Sequence, residues 1–260
     1  MAIFTTSGIL LRSMNYRETS KIFRFLTLDH GLTSLIAKGV RQKRRYGGEG
    51  LGLFSRGEIT FYAKGTGDLH LFKEFSLKKT GRTLAGNIFQ FTAASVLGEI
   101  VLIQGTNERS PEVFDKLKVG LDNLENASVQ LAIPILLKEA WSLVATLGYR
   151  PEISNCINCA TPLDKEEIGK FDLQEGGILC YSCGSTSVGP RLGPIAREQL
   201  NRFIANANVE TVRGAKGHIT LLRDFIGFHL TERGKLNSFD FLISLLENMP
   251  SEKIIEKEKM

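Results

Sequence analysis

Four cysteines, Cys156, Cys159, Cys180 and Cys183, lie in one short window, and the 260-residue chain has no others. They form two pairs, each with two residues between its members. A pair so spaced can bend until both sulfurs face one ion, and the segment between the pairs can fold back to complete a tetrahedron. Zinc suits four thiolates because it needs neither redox chemistry nor a particular d-electron geometry. Iron could take the same ligands, and a redox dithiol or four unrelated buried thiols are the other readings; the doubled spacing argues for a metal. Four sulfurs fill the coordination shell and leave no place for water or substrate. The expected role of one zinc ion is therefore structural, stapling a loop too short to fold unaided. Gly176, Gly177 and Gly184 give the backbone room to turn, and Phe171, Leu173, Ile178 and Tyr181 are expected to build a small apolar base.

A second constellation is cationic. The stretch AKGVRQKRRYGG holds Lys38, Arg41, Lys43, Arg44 and Arg45, followed at once by Tyr46. A guanidinium fork donates two parallel hydrogen bonds to a phosphate, and a tyrosine ring offers a face to a base. Tyr16, Phe54, Phe61 and Tyr62 are near in sequence, but Phe54 and Phe61 read better as core than as stacking platforms. Residues 1–80 carry 14 Lys+Arg against 6 Asp+Glu, whereas the rest carries 19 against 22. The whole excess of the +5 net charge sits in the first third, which suggests a polyanionic partner there. Nucleic acid leads and an anionic membrane surface is second; a merely solvated basic face is the bland alternative.

Other chemistry is missing from the sequence. No phosphate-binding G-x-x-x-x-G-K-[ST] occurs, and RGAKGH around Gly214 does not fit that pattern. His30, His70, His218 and His229 are scattered outside any H-E-x-x-H arrangement, and no nucleophile motif or acidic nuclease cluster is evident. An enzyme is not expected. The N-terminus lacks the basic start, apolar centre and cleavage site of a secretory signal, and no run approaches about 18 uninterrupted apolar residues. The expected address is cytoplasmic, at the nucleoid, where thiols stay reduced, with no membrane partner.

The elements that must position these groups divide the chain. TSGILLRSMN, SKIFRFLT, GLTSLIAKGV, RGEITFY and DLHLFKEFSL alternate polar and apolar residues, with Asp29-His30-Gly31 and Gly65-Thr66-Gly67-Asp68 as turns. Five strands without a convincing helix suggest a small closed barrel of the OB type over residues 1–80. After Lys79 the period becomes helical. TLAGNIFQFTAASVLGEIVLIQG reads as a helix; Ser110 and Pro111 open another; and the apolar SVQLAIPILLKEAWSLVATLGY ends at Gly148, with Pro134 marking a kink or a later start. Three more helices follow the cysteine segment. The expected fold class is α+β and multidomain: a barrel over 1–80, a helical domain over 81–150 and 191–250 interrupted by the cysteine module over 151–190, and a charged tail over 251–260.

The order of short motifs resembles one family. Tyr16-x-Glu18-x-Ser20, Phe25-Leu26-Thr27, His30-Gly31 and Ala37-Lys38-Gly39-x-Arg41, then LGYRPEISNCINCA and GGILCYSC, are similar to the RecO family of bacterial DNA-repair and recombination mediators over roughly residues 3–245. The resemblance implies an OB-fold domain, a helical domain and a four-cysteine zinc module. It also implies binding of single- and double-stranded DNA, annealing of complementary strands, and help in loading RecA onto strands coated by SSB. The implied partners are RecR, the carboxy-terminal tail of SSB and, indirectly, RecA and RecF. Lys38 and Arg41 match the family's basic stretch and inherit a DNA-contact role; Lys43, Arg44, Arg45 and Tyr46 rest on charge and ring chemistry alone. A zinc-containing protein–protein adaptor and an RNA-binding protein without annealing activity stand as alternatives.

Overall fold

The computed structural model describes residues 2–40, 51–63, 67–104, 108–231 and 235–248, in two compact units, Met1–Val129 and Gln130–Met260. In the first unit the alternating segments become β1 (Ala2–Tyr16), β2 (Ser20–Thr27), β3 (Gly31–Ala37), β4 (Arg56–Ala63) and β5 (Leu69–Lys79). The mixed sheet closes on itself in the order β1-β2-β3-β5-β4, with only β3 and β5 parallel. Closure removes the free edges that a five-stranded sheet would otherwise expose. Inward positions supply a core of Leu10, Phe23, Phe25, Leu35, Ile59, Phe61 and Phe72. β1 pairs with β4 along its first half and with β2 along its second, and a register shift between Leu10 and Arg12 bends it. The expected turn at Asp29-His30-Gly31 is present, with Gly31 at φ 59°. Of the second expected turn, Gly65 and Thr66 lie outside the described residues.

Phe54 is 2% exposed and Phe61 1%, so both are core, as their chemistry suggested. Phe54 holds φ at 64°, where a non-glycine residue is strained; its N–H donates to Leu10 O at 2.7 Å and its ring packs edge-on against Phe91. The helical stretch after Lys79 is two helices, α1 (Arg82–Ala85) and α2 (Ile88–Gln104). Asn87 separates them because its Oδ1 accepts the N–H groups of Phe89 and Gln90 at 2.9 and 3.3 Å, which starts a new helix. α3 (Pro111–Asn126) begins after Ser110 as expected, yet the Ser110 hydroxyl makes no capping bond; its carbonyl accepts from Phe114.

A single 3-10 turn (Val129–Leu131) starts at the last residue of the first unit and leads into α4 (Ala132–Thr146) of the second. Pro134 sits in the first turn of α4, where its missing N–H has no intrahelical acceptor to lose, so it marks the later start and not a kink. Gly148, at φ 92°, ends the segment. Val129–Thr146 is long and apolar enough to cross a bilayer by composition, but Leu136, Leu137, Trp141 and Leu143 are buried, and Trp141 packs on Phe225. Three short strands follow, β6 (Gly169–Asp172), β7 (Gly177–Leu179) and β8 (Arg191–Leu192), in the order β7-β6-β8. Helices α5 (Pro194–Ile204), α6 (Ala215–His229) and α7 (Asn237–Glu247) complete the unit. The helical stretch expected over 81–150 is thus shared: α1 to α3 belong to the first unit and α4 to the second. The charged tail, 251–260, lies outside the described residues.

Candidate metal centre and nucleic-acid interface

Cys156 and Cys180 each open a tight turn. The N–H of Ala160 donates to Cys156 O at 2.8 Å, and that of Gly184 to Cys180 O at 2.8 Å, so the two loops are built alike. They are brought together by backbone: Ile157 N–H donates to Ile178 O at 3.0 Å, and Ile178 N–H to Glu152 O at 2.9 Å. That approach requires Gly177, where a Cβ would lie 2.3 Å from Ile157 Cγ2. Beneath it Phe171 and Ile178 are wholly buried, as expected of a base, and Leu173 is half-buried. Tyr181 is not part of it; at 79% exposure its ring points to water.

All four sulfurs lie within 4.8 Å of one another, and Cys159 Sγ is 3.9 Å from Cys180 Sγ. Tetrahedral coordination with metal–sulfur bonds of about 2.3 Å sets sulfurs about 3.8 Å apart. The residues are therefore positioned to hold a metal ion. Electrostatics agree. Burial pushes the Cys156 thiol up, but backbone N–H groups of Cys180, Cys159 and Asn158 outweigh it and bring its pKa down to about 6. At Cys183 the Asn158 amide favours the thiolate, yet the neighbouring Cys180 and Cys159 sulfurs win and push the pKa up to about 11. Sulfurs this close cannot all ionise unless a cation compensates them. The outer contacts are set: Asn158 Nδ2 donates to Cys183 Sγ at 3.3 Å, and the Thr161 hydroxyl lies 3.4 Å from Cys159 Sγ.

In the first unit, Lys38 follows β3 and is exposed. Arg41, Lys43, Arg44, Arg45 and Tyr46 lie outside the described residues. The barrel adds two arginines that the sequence does not single out, and it sets them beside Tyr62, which the sequence names as a ring near the basic stretch. Cross-strand partners share a face, so two rows run along the outside of the sheet. One joins Tyr62, Leu71, Ile36, Ile22 and Met14; the other joins Leu69, Ser34, Arg24 and Arg12. Tyr62 is half-buried, Met14 is 38% exposed, and Lys38 stands two residues beyond Ile36.

Arg12 and Arg24 face each other directly across β1 and β2. No carboxylate pairs with either among the described residues, and Arg24 Nε is shielded from water without a hydrogen-bond partner. Burial first and the Arg12 charge second lower the Arg24 pKa. A guanidinium does not lose its proton in a protein, so the shift measures discomfort of a retained charge. Two facing cations that repel are relieved by an anion lying between them. A positive row beside a row of flat and apolar groups can hold phosphates and bases of one strand at once. The alternation of β1 and β2 placed Arg12 and Arg24 outward in sequence, but their pairing depends on the bend after Leu10.

Comparison with known proteins bears on both sites. A family model described as "Recombination protein O N terminal" matches residues 1–80, and one described as "Recombination protein O C terminal" matches residues 85–236. A "DNA repair protein RecO" of Desulfatibacillum aliphaticivorans is 30% identical over 247 residues, covering 89% of this chain and 93% of that protein. Proteins of the same name from Rubrobacter xylanophilus and Bacillus pumilus are 29% and 26% identical, the first covering 84% of this chain and 86% of its own, the second 70% and 69%.

Proposed function

Because the chain belongs to the RecO family, we propose that it is a non-enzymatic DNA-repair and recombination mediator. In this reading it binds single- and double-stranded DNA, anneals complementary strands, and assists the loading of RecA onto SSB-coated strands together with RecR. The SSB tail is a direct partner, RecF an indirect one, and the cytoplasm is the working compartment. The five-stranded closed sheet with its parallel β3–β5 contact is read as an OB-type barrel, whose outer strands and loops take oligonucleotides in many proteins. The ion held by Cys156, Cys159, Cys180 and Cys183 is read as one structural zinc; it supplies folding energy to its module and no reaction step.

The observation that carries the reading is the Arg12–Arg24 pair, set beside Lys38 and the Tyr62 row on a strongly basic unit. Annealing needs no catalytic group. Two strands repel through their phosphates; a cationic surface that neutralises both lowers the barrier and raises their local concentration, while base pairing supplies the free energy. The test is fluorescence anisotropy with a labelled single strand across a salt series. Five phosphate contacts by the basic loop alone give a slope of about −3.5 in log K against log salt, or about a 100-fold loss between roughly 50 and 200 mM. Absence of binding in dilute salt overturns the reading. One feature favours an adaptor instead: Tyr181 and Val188 of the cysteine module are 79% and 98% exposed. The same titration separates the two, and competition by RNA of equal length separates an RNA-binding protein from both.

A further inference from the structure

Where β3 begins, the barrel holds a cavity of about 380 Å³. Strand alternation builds its walls. Phe4 pairs with Phe61, which lies in the core, and His70 pairs with Leu35, also in the core, so all three rings turn inward. Phe61 and His70 stack at 5.5 Å with an interplanar angle of 20°, and His30, from the β2–β3 turn, closes on Phe4 at 4.6 Å. Phe4 keeps 36% of its surface exposed. The cavity thus offers ring surfaces to something flat.

Its polar group is specific. The buried Thr6 hydroxyl donates to Asp29 Oδ2 at 2.6 Å and fixes the carboxylate. Asp29 Oδ1 has only a loose, exposed contact with Arg109 Nε at 3.9 Å. One carboxylate oxygen is therefore held at the mouth with acceptor capacity to spare. Asp68 and Arg109 also line this mouth, so its two carboxylates outnumber its one guanidinium and a phosphate is disfavoured. A ring with N–H donors on its edge satisfies both features. Cytosine, adenine and guanine carry an exocyclic amine that a carboxylate accepts. Thymine offers one N–H between two carbonyls, which the carboxylate repels.

We propose that this mouth takes up one unstacked, amine-bearing nucleobase of a bound single strand, with its ring against Phe4 and His30 and its amine donating to Asp29 Oδ1. The assignment rests on the DNA-binding reading and adds base discrimination to it. Cavities in the mouths of barrels are common ligand sites, and splayed bases are held elsewhere by this combination of ring contact and edge hydrogen bonding.

The test titrates the full chain with labelled oligo(dC) and oligo(dT) of equal length at neutral pH. The expected result is about tenfold tighter binding of oligo(dC), the worth of one hydrogen bond to a charged acceptor. Asp29→Asn keeps the side-chain shape and the Thr6 contact and brings the two affinities together, weakening oligo(dC) binding while relieving the repulsion on oligo(dT). An oligonucleotide of 2-pyrimidinone nucleotides, which lack the amine, loses the preference with the unaltered protein, so the outcome does not depend on a variant folding. Equal affinities for oligo(dC) and oligo(dT) in the unaltered protein, or a preference that survives Asp29→Asn, overturn the proposal while leaving general DNA binding intact. Failure to bind either oligonucleotide in dilute salt removes the DNA-binding reading and this one with it.

Discussion

Arg56 on β4 donates to Glu125 on α3 with both side chains sealed from water, at 8% and 3% exposure. Arg56 also reaches Asp122 Oδ1 at 2.6 Å, and Lys79 bridges Asp122 and Glu125 at 2.6 and 2.7 Å. Two cations and two carboxylates so close form one neutral unit that ties β4 and β5 to α3. Such a cluster is valuable when whole and damaging when broken, because without Arg56 the two carboxylates, Asp122 and the buried Glu125, share only the half-exposed Lys79. Arg56→Met is expected to lower stability by about 3–5 kcal/mol in urea unfolding. Arg56→Met combined with Glu125→Leu should recover most of that loss, since Lys79 and Asp122 still pair. Equal losses in the two proteins would show that shape, and not charge, matters here.

His218 gives the second unit an acid sensitivity. It is 4% exposed, its Nε2 lies 3.2 Å from Gln199 Oε1, and Phe203 meets its ring at a right angle. Burial lowers its pKa from the ordinary 6.5 to about 4. The unfolded chain then binds a proton that the folded one refuses. Stability is full above pH 6.5, falls as pH drops towards 4, and loses nothing further below that. At pH 5 the loss amounts to about 2 kcal/mol. Thermal melting at neutral pH and at pH 5 should show it, and His218→Gln should remove this share of the difference. Asp122 contributes separately. Burial raises its pKa, but the Lys79 hydrogen bond and the Arg56 charge outweigh that and leave it lowered, so its stabilisation is present above the ordinary carboxylate range and fades below it.

The cysteine module also depends on residues that hold its loops without touching the sulfurs. Arg197 of α5 donates to the carbonyls of Glu167 at 3.2 Å, Lys165 at 3.0 Å and Asp164, which clamps that loop. Glu167 in turn accepts the Tyr181 N–H at 2.7 Å, next to Cys180. Because Arg197 acts through Glu167 and bonds no sulfur, Arg197→Ala is expected to weaken metal binding by at most about 10-fold, the low end for direct partners of metal ligands, measured by competition with a coloured chelator. Cys183→Ser should abolish stoichiometric metal. A full complement of metal retained by the serine variant would mean that the four sulfurs do not act as one site.

Much of this architecture could be read in the residues because its signals are local. Five alternating runs gave five strands, and Cys-x2-Cys repeated gave sulfurs that converge. What could not be read depends on partners far away in the chain. The break at Asn87 comes from a side chain that competes with the helix only once the turn before it has formed. Tyr181 looks like core by type, and only the path of the backbone after β7 turns it outward. The Arg12–Arg24 pairing needs the register between β1 and β2, and the Asp29 mouth needs Thr6 from a strand that is neighbour to both β2 and β4. The unit boundary after Val129 also follows from packing, since no glycine or proline run marks it in the sequence.

Arg12 and Arg24 should trade stability against binding. Like charges directly opposite on neighbouring strands disfavour the fold by a few tenths of a kcal/mol or more, and the shielded Arg24 Nε adds an unmet donor. Arg24→Gln is therefore expected to leave the protein equally or slightly more stable. If a phosphate bridges the pair, the same change weakens single-strand binding and makes the slope of log K against log salt shallower by about 0.7. Lys38→Glu with Arg41→Glu, at the other basic cluster, should reduce affinity and annealing without any gain in stability. A protein whose binding survives both Arg24→Gln and Arg12→Gln would mean that the strand does not cross this face, because the two facing guanidiniums are the charge that this outer row offers a phosphate.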